Sequence, residues 1–177
     1  VSACATCDAF FFKELEVIVI GGGDSAMEEA LFLTKFAKKV YVVHRRDSFR
    51  ASKIMQDRVI EHEKINVLWN QEITEIKGDK KVSSVTIKDL KEKTEEDMAV
   101  DGVFVAIGHT PNVSFLDGML ELDEKGYVKT GFTTDTSTSI PGIFASGDVA
   151  DSIYRQAITA AGTGCQAAID AERWLDN

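Results

Sequence analysis

Proline and cysteine are both scarce in this chain, at two and three among 177 residues. Few prolines beside thirteen glycines suit a soluble α/β protein rather than a disordered one. An odd number of cysteines does not make a secreted disulfide framework. Long apolar runs are missing as well. The uninterrupted run at the first strand is Val17–Ile20, against the roughly 18–20 residues that span a bilayer. The first residues lack the basic and apolar regions of a signal peptide, so neither a membrane association nor secretion is expected. The expected compartment is the cytoplasm, where a close cysteine pair is catalytic or metal-binding rather than structural. Positive charge is also in deficit. A net charge of −9 and a pI near 4.8 exclude the basic stripe that a nucleic-acid partner needs. No internal repeat or low-complexity tract interrupts the chain.

What is present, at 44% hydrophobic residues, can bury a core of one domain or a little more. "EVIVI" (Glu16–Ile20) is a buried-strand pattern that runs straight into three glycines. Ser25–Lys39 then carries apolar residues at helical spacing (Ala26, Ala30, Leu33, Ala37), with Asp24 or Ser25 as the expected N-cap. "VYVVH" (Val40–His44) is a second buried strand, which completes a βαβ unit with parallel strands. A helix is expected over Ala51–His62, then strands over 65–69, 72–77 and 82–90, with a hairpin turn at Gly78-Asp79. Lys91–Asp97 is expected as a solvated turn. Gly102–Gly108 is expected as another buried strand, Gly142–Asp148 as a strand, and Ile153–Leu175 as the last helix. "HTPN" after Gly108 breaks regular structure and places a domain boundary at about Asn112.

Two motifs carry chemistry. Gly21-Gly22-Gly23-Asp24-Ser25-Ala26 fits G-x-G-x-x-[GA] between a strand and a helix, the setting a dinucleotide pyrophosphate needs. Gly21 allows the tight turn, Gly23 lets the backbone approach the phosphates without a Cβ, and Ala26 permits close helix–strand packing. The helix start then offers N–H groups and the positive end of its dipole. An NAD site usually places a carboxylate at the end of the second strand. This chain has His44-Arg45-Arg46, with Arg50 beyond. Guanidinium groups match a phosphate by bidentate bonding, so the expected dinucleotide is NADPH. Gly162-Thr163-Gly164-Cys165-Gln166-Ala167 satisfies the same expression but lies inside an expected helix, so it is a decoy whose glycines allow close backbone contact. Cys165 there is expected to be a small buried residue.

The second motif is Cys4-Ala5-Thr6-Cys7, followed by Asp8. Zinc would need two further ligands, and Cys165, His44, His62 and His109 supply no second close pair. Two inert thiols are an alternative. A redox pair explains the spacing best, because one sulfur can resolve a mixed disulfide formed by the other. Asp8 either moves protons in that exchange or is a turn or N-cap carboxylate. Coupling a nicotinamide hydride to a disulfide commonly takes a flavin between them.

"CATCDAFFFK", "VIGGGDSAMEEALFLTKFAKKVYVVHRRDSFRASK", "VAIGHTPN" and "GIFASGDVADSIYRQAITAAGTGCQAA" together resemble bacterial low-molecular-weight thioredoxin reductases, in that family's order and spacing and over essentially the whole chain. The resemblance implies an α/β architecture of two Rossmann-like domains. Residues 1–112 would be a three-layer NADPH domain, and residues 113–177 the C-terminal part of a discontinuous FAD domain. It implies that Cys7 faces the flavin, Cys4 attacks the thioredoxin disulfide and Asp8 is the acid/base. Gly21, Gly23, Asp24, Ser25 and Ala26 would hold the NADPH pyrophosphate, and Arg45, Arg46 and Arg50 the 2′-phosphate beside His44. Gly147 and Asp148 would bind FAD, with Arg155, Gln156 and Ala157 against its ring; Asp148 alone reads equally as a turn or cap residue. The partner would be thioredoxin, the intact protein a homodimer, and no metal is implied.

In that family a first FAD segment precedes the cysteine pair. The expectation is therefore that this chain is truncated and inactive alone, while its parent is a thioredoxin-disulfide reductase. Two alternatives stand beside it. A peroxiredoxin-linked disulfide reductase would share both motifs but is typically NADH-linked, which His44-Arg45-Arg46 opposes. An NADPH-binding module without flavin chemistry is the other. A ferredoxin–NADP reductase of like architecture would lack the cysteine pair.

Overall fold

A computed structural model describes residues 1–176 as two compact units, Val1–Gly108 and a second that begins at His109. The units separate after Gly108, a little before the Asn112 boundary expected from the sequence.

The first unit is built on the run Glu16–Gly21 (β1). Its β-branched residues are buried on both faces, as a central parallel strand requires. β1 pairs in parallel with Lys39–His44 (β2) on one side and Gly102–Ala106 (β7) on the other, and β2 pairs with Ile65–Trp69 (β3). The sheet order is β3-β2-β1-β7. Alternation divides the core into two clusters. Val17 and Val19 face Ala26, Met27, Ala30 and Leu33 of the helix Asp24–Leu33 (α2) and Val59 of Lys53–Ile60 (α3). Ile18 and Val43 face Val85 and Ile87 of an antiparallel sheet. That sheet comprises Gln71–Gly78 (β4), Val82–Asp89 (β5) and Glu95–Ala99 (β6), in the order β4-β5-β6. Helices, parallel sheet and antiparallel sheet make three layers.

The cysteine segment docks on the free edge of β7. The Ser2 N–H donates to the Val103 carbonyl at 2.8 Å, and the Val105 N–H donates to the Ser2 carbonyl at 2.8 Å. Cys4 then caps the short helix Ala5–Asp8 (α1), whose Ala5 is buried in the helical cluster. Phe12 packs edge-on against Phe104 of β7, with centroids 5.1 Å apart.

Several expected boundaries move, each for a local reason. α2 stops at Leu33 rather than Lys39, where the Lys64 ammonium donates to the Thr34 and Ala37 carbonyls. Its N-cap is Gly23, not Asp24 or Ser25, because the Asp24 carboxylate is engaged by Ser52. That engagement also delays α3 to Lys53. The expected turn over Lys91–Asp97 is partly strand. Its acidic residues enter β6, where Asp97 accepts from Lys77 at 2.7 Å and from the Thr86 hydroxyl at 2.8 Å.

The second unit is mostly turns, with the helix Ala157–Leu175 (α4) at its end. Its buried residues include Leu120, Tyr127, Val128 and Thr136. The expected strand over 142–148 shrinks to one bridge between Ser137 and Phe144. Gly142 and Gly147, at φ +82° and +71°, turn the chain away on either side of it, a conformation that favours glycine. α4 begins at Ala157, not Ile153. The Asp151 carboxylate captures the N–H groups of Ile153, Tyr154 and Arg155 first, and Arg155 turns left-handed at φ +49°. Gln156 and Thr159 then close a capping box.

Candidate functional site

The strands β1, β2 and β7 all end at one edge of the sheet, and the glycine turn crosses that edge. A Cβ on Gly21 would come within 2.3 Å of the Ala106 carbonyl oxygen and 2.7 Å of the Ala26 Cβ. Only glycine lets β1, β7 and α2 converge so closely. At Gly23 a Cβ would meet nothing within 4 Å, so this glycine opens on free space at the start of α2. Gly23 caps α2 through its backbone alone, which leaves the helix start to an anion. The middle glycine, Gly22, was not among the residues singled out by motif. A Cβ there would lie 2.2 Å from the His44 Cε1. Its role is to seat the imidazole.

A cavity of about 470 Å³ opens at this edge, lined by Gly21–Gly23, Ser25, His44, Arg45 and Arg50. Arg45 and Arg50 are exposed, as cations awaiting an anionic ligand would be. Arg46 is exposed too but does not line the cavity; its carbonyl accepts the Asn70 N–H at 3.2 Å. The loop carrying Arg50 is tied to the turn. The Arg50 and Ala51 N–H groups donate to the Gly22 carbonyl at 2.8 and 3.2 Å. The Asp24 carboxylate accepts from the Ser52 N–H and hydroxyl at 2.9 and 2.8 Å. Those bonds, the backbone one foremost, hold the Asp24 carboxyl below the usual aspartate range. Asp24 thus braces the loop rather than facing the cavity, and Ala26 is buried beneath it.

His44 is 7% exposed. Its Nε2 lies 3.0 Å from the Ser48 carbonyl oxygen, and its ring packs against Phe49 and Trp69. Burial pushes its pKa down despite that contact, so the imidazole is neutral at physiological pH. The far wall of the cavity comes from Gln71, Glu72 and Ile73 of β4 and from Ile107 and Gly108 after β7. No local motif marks these residues; only the folding of the antiparallel sheet over the parallel one brings them in.

Cys4 and Cys7 form a disulfide with Cα atoms 5.3 Å apart. Cys4 is half-buried and Cys7 exposed. The Cys7 N–H donates to the Cys4 Sγ at 3.2 Å. Asp8 stands at the N-cap of the following 3-10 turn, Ala9–Phe12, but its side chain makes no capping bond. The pair and the glycine turn belong to the same unit, and α1 packs on α2.

In the second unit, Asp148 and Arg155 line one cavity with Tyr127 and Asn112. Arg155 points its guanidinium at the Tyr127 hydroxyl, 3.5 Å away, and the Gly147 N–H donates to the Thr163 hydroxyl at 3.0 Å. Gln156 caps α4 and Ala157 is its first residue. The decoy glycine string lies inside α4. Its expected close contacts are not found. A Cβ on Gly162 would meet nothing within 4 Å, and one on Gly164 only the Ser146 Oγ at 4.0 Å. Cys165, expected to be buried, is exposed, because no neighbouring element covers that face within the unit. Among the described residues no group of three or more His, Cys, Asp or Glu is placed to hold a metal ion. No described helix is long and apolar enough to cross a membrane.

The chain resembles known proteins along nearly its whole length. The chain is 58% identical over 175 residues to a thioredoxin reductase of Mycolicibacterium smegmatis, covering 99% of this chain and 56% of that protein. It superposes on the crystal structure of a Streptococcus pyogenes thioredoxin reductase with a TM-score of 0.90 and 44% identity, covering 99% of this chain and 57% of that one. A Giardia duodenalis thioredoxin reductase gives 0.86 and 48%, with 99% and 58% covered. The chain therefore spans about half the length of the curated relatives it matches. Residues 1–164 match the profile of the pyridine nucleotide-disulphide oxidoreductases, and the chain belongs to that family.

Proposed function

We propose that this chain carries the NADPH-binding and disulfide-bearing parts of a thioredoxin-disulfide reductase. The observation that carries the proposal is the union, in one compact unit, of an open glycine turn, two cavity-lining arginines and a Cys4–Cys7 disulfide. The turn suits a pyrophosphate because Gly23 leaves the room that a Cβ would fill. Arg45 and Arg50 suit the 2′-phosphate that distinguishes NADPH from NADH, with Arg46 beside them. His44 and Gly21 shape the floor, while Asp24, Ser25 and Ala26 set the start of α2.

FAD fits the second unit in part. Asp148 offers an exposed carboxylate to its hydroxyl groups, and Gly147, Arg155, Gln156 and Ala157 surround the start of α4. When bound, FAD would accept a hydride from the nicotinamide and hand two electrons to a disulfide. The chain's own residues do the rest. The Cys4 thiolate attacks a thioredoxin sulfur, forming a mixed disulfide and releasing the other thioredoxin sulfur as a thiolate. Cys7 then attacks Cys4, which restores the Cys4–Cys7 bond and releases reduced thioredoxin. Asp8 supplies and recovers the proton that accompanies each exchange. The active form is proposed to be a cytoplasmic homodimer of the parent protein.

The test is an assay of NADPH consumption with oxidised thioredoxin and added FAD. Thioredoxin thiols should form with NADPH in preference to NADH in the parent protein, and scarcely at all with this chain alone. Turnover that prefers NADH, or that reduces a peroxiredoxin-type disulfide rather than thioredoxin, overturns the proposal.

A further inference from the structure

The cysteine segment reaches the sheet through Ser2. This residue makes a parallel bridge to Phe104, its N–H donating to the Val103 carbonyl and its carbonyl accepting the Val105 N–H, both at 2.8 Å. Phe104 is fully buried, so Ser2 is fixed to the core. Its side chain then points forward along the chain. The Ser2 Oγ accepts the Cys4 N–H at 3.0 Å, and its O–H donates to the Cys4 carbonyl oxygen at 3.4 Å. One hydroxyl thus engages both backbone polar groups of Cys4. Ala3, between the two, is exposed, so the hydroxyl is the direct link from the sheet edge to Cys4. The Cys4 carbonyl also accepts the N–H groups of Cys7 and Asp8, each at 3.2 Å, and the Cys7 N–H is shared with the Cys4 Sγ at 3.2 Å.

We propose that Ser2 is a positioning residue for Cys4: its hydroxyl holds the Cys4 backbone so that the sulfur stays against the Cys7 N–H when the disulfide opens. This rests on the reading that Cys4 is the attacking sulfur of a redox pair. Reduction by a dithiol breaks the S–S bond. The reductant gives two electrons and two protons and becomes a disulfide. Cys4 then reacts as the thiolate, its proton passing to solvent. A hydrogen bond to an anion is stronger than one to a neutral acceptor. An N–H kept in place beside the sulfur therefore favours the form that attacks.

Other charges lie near the pair. α1 carries Asp8 besides the cysteines, and α2, which packs on it, carries Asp24, Glu28 and Glu29. The 3-10 turn Ala9–Phe12 and β7 carry none. These groups are common to every Ser2 variant, so a comparison among variants isolates the hydroxyl.

The test is the rate at which iodoacetamide alkylates Cys4 across a range of pH. It uses the 177-residue chain carrying Cys7→Ser and Cys165→Ser, so that one thiol is read and the N–H of residue 7 is kept. Ser2→Ala removes the hydroxyl but leaves the bridge to β7, which is made by backbone, so its thermal melt should coincide with that of the parent. Ser2→Thr puts the hydroxyl back. Near neutral pH the Ser2→Ala protein should react about three- to tenfold more slowly than the Ser2 and Ser2→Thr proteins, the worth of about one hydrogen bond. The rates should converge at high pH, where the thiol is fully ionised; a change of mere access to the sulfur would persist at every pH. Coincident profiles for Ser2 and Ser2→Ala, a rate difference that does not vary with pH, or a Ser2→Thr protein that behaves as Ser2→Ala overturns the role of Ser2 and leaves the proposed function standing. In the chain that retains Cys4 and Cys7, a disulfide that no dithiol reduces reversibly overturns both.

Discussion

The Asp24 carboxylate, at the first turn of α2, receives both the backbone N–H and the hydroxyl of Ser52. This places the loop that carries Arg50 against the glycine turn, with the Gly22 carbonyl accepting the Arg50 N–H as a second tie. The arginine that would read a phosphate is thus pre-positioned by a residue of the phosphate-binding motif itself. Removing either partner should cost NADPH affinity without contact to the ligand. Asp24→Ala and Ser52→Ala are each expected to weaken NADPH binding roughly three- to tenfold, the worth of about one hydrogen bond. The double variant should be no weaker than either alone. Calorimetry on the four proteins of the cycle checks this, and additive losses would separate the two residues.

The same contact has a pH signature. Ser52 holds the Asp24 carboxyl below its ordinary range, so its contribution is complete above the unfolded value of about 3.9. It is lost only as pH falls through the depressed folded value. An acid titration followed by the amide resonance of Ser52 should show a midpoint below that of a free aspartate. A midpoint at or above it would mean that the contact does not hold in solution.

The three glycines of the turn should respond differently to alanine. Gly21→Ala and Gly22→Ala drive a methyl into the Ala106 carbonyl and the His44 ring. Each should destabilise the first unit by about 1–3 kcal/mol, as overpacking does. Gly23→Ala meets no atom within 4 Å, so it should melt within a few degrees of the parent chain while losing NADPH. Thermal melts with and without NADPH distinguish the three.

The cysteines differ in reach. Cys165 is exposed while Cys4 and Cys7 are joined. Mass spectrometry after alkylation of the folded, oxidised chain should find the label on Cys165. Prior treatment with a dithiol should add label at Cys7 ahead of half-buried Cys4. Label on Cys4 without reductant would show that the disulfide does not persist in solution.

Legibility in the sequence followed the range of the interactions involved. β1, β2 and β3 could be read nearly to the residue, because short, mostly apolar runs of strand length bounded by polar or glycine residues suit buried strands. The turn and the arginines were legible because they are local. Glu95–Ala99 was not, since an acidic stretch becomes a strand only when Lys77 and Thr86 lie across from Asp97. The start of α4 was misplaced because one carboxylate, Asp151, outbids helix geometry for three N–H groups. Gly22 escaped notice for the same reason. Its neighbour, the His44 ring, is brought to it by the packing of the fold, which no spacing rule records.

The central claim is that the glycine turn, Arg45 and Arg50 form a site for a dinucleotide bearing a 2′-phosphate. Titrating this chain with NADPH and with NADH by calorimetry tests it most directly. NADPH should bind at least about tenfold more tightly, and the double substitution of Arg45 and Arg50 by Gln should erase the difference while leaving NADH affinity nearly unchanged, as the loss of charge-assisted bonds to one phosphate predicts. Equal affinity for the two dinucleotides, or a preference for NADH, would contradict the account.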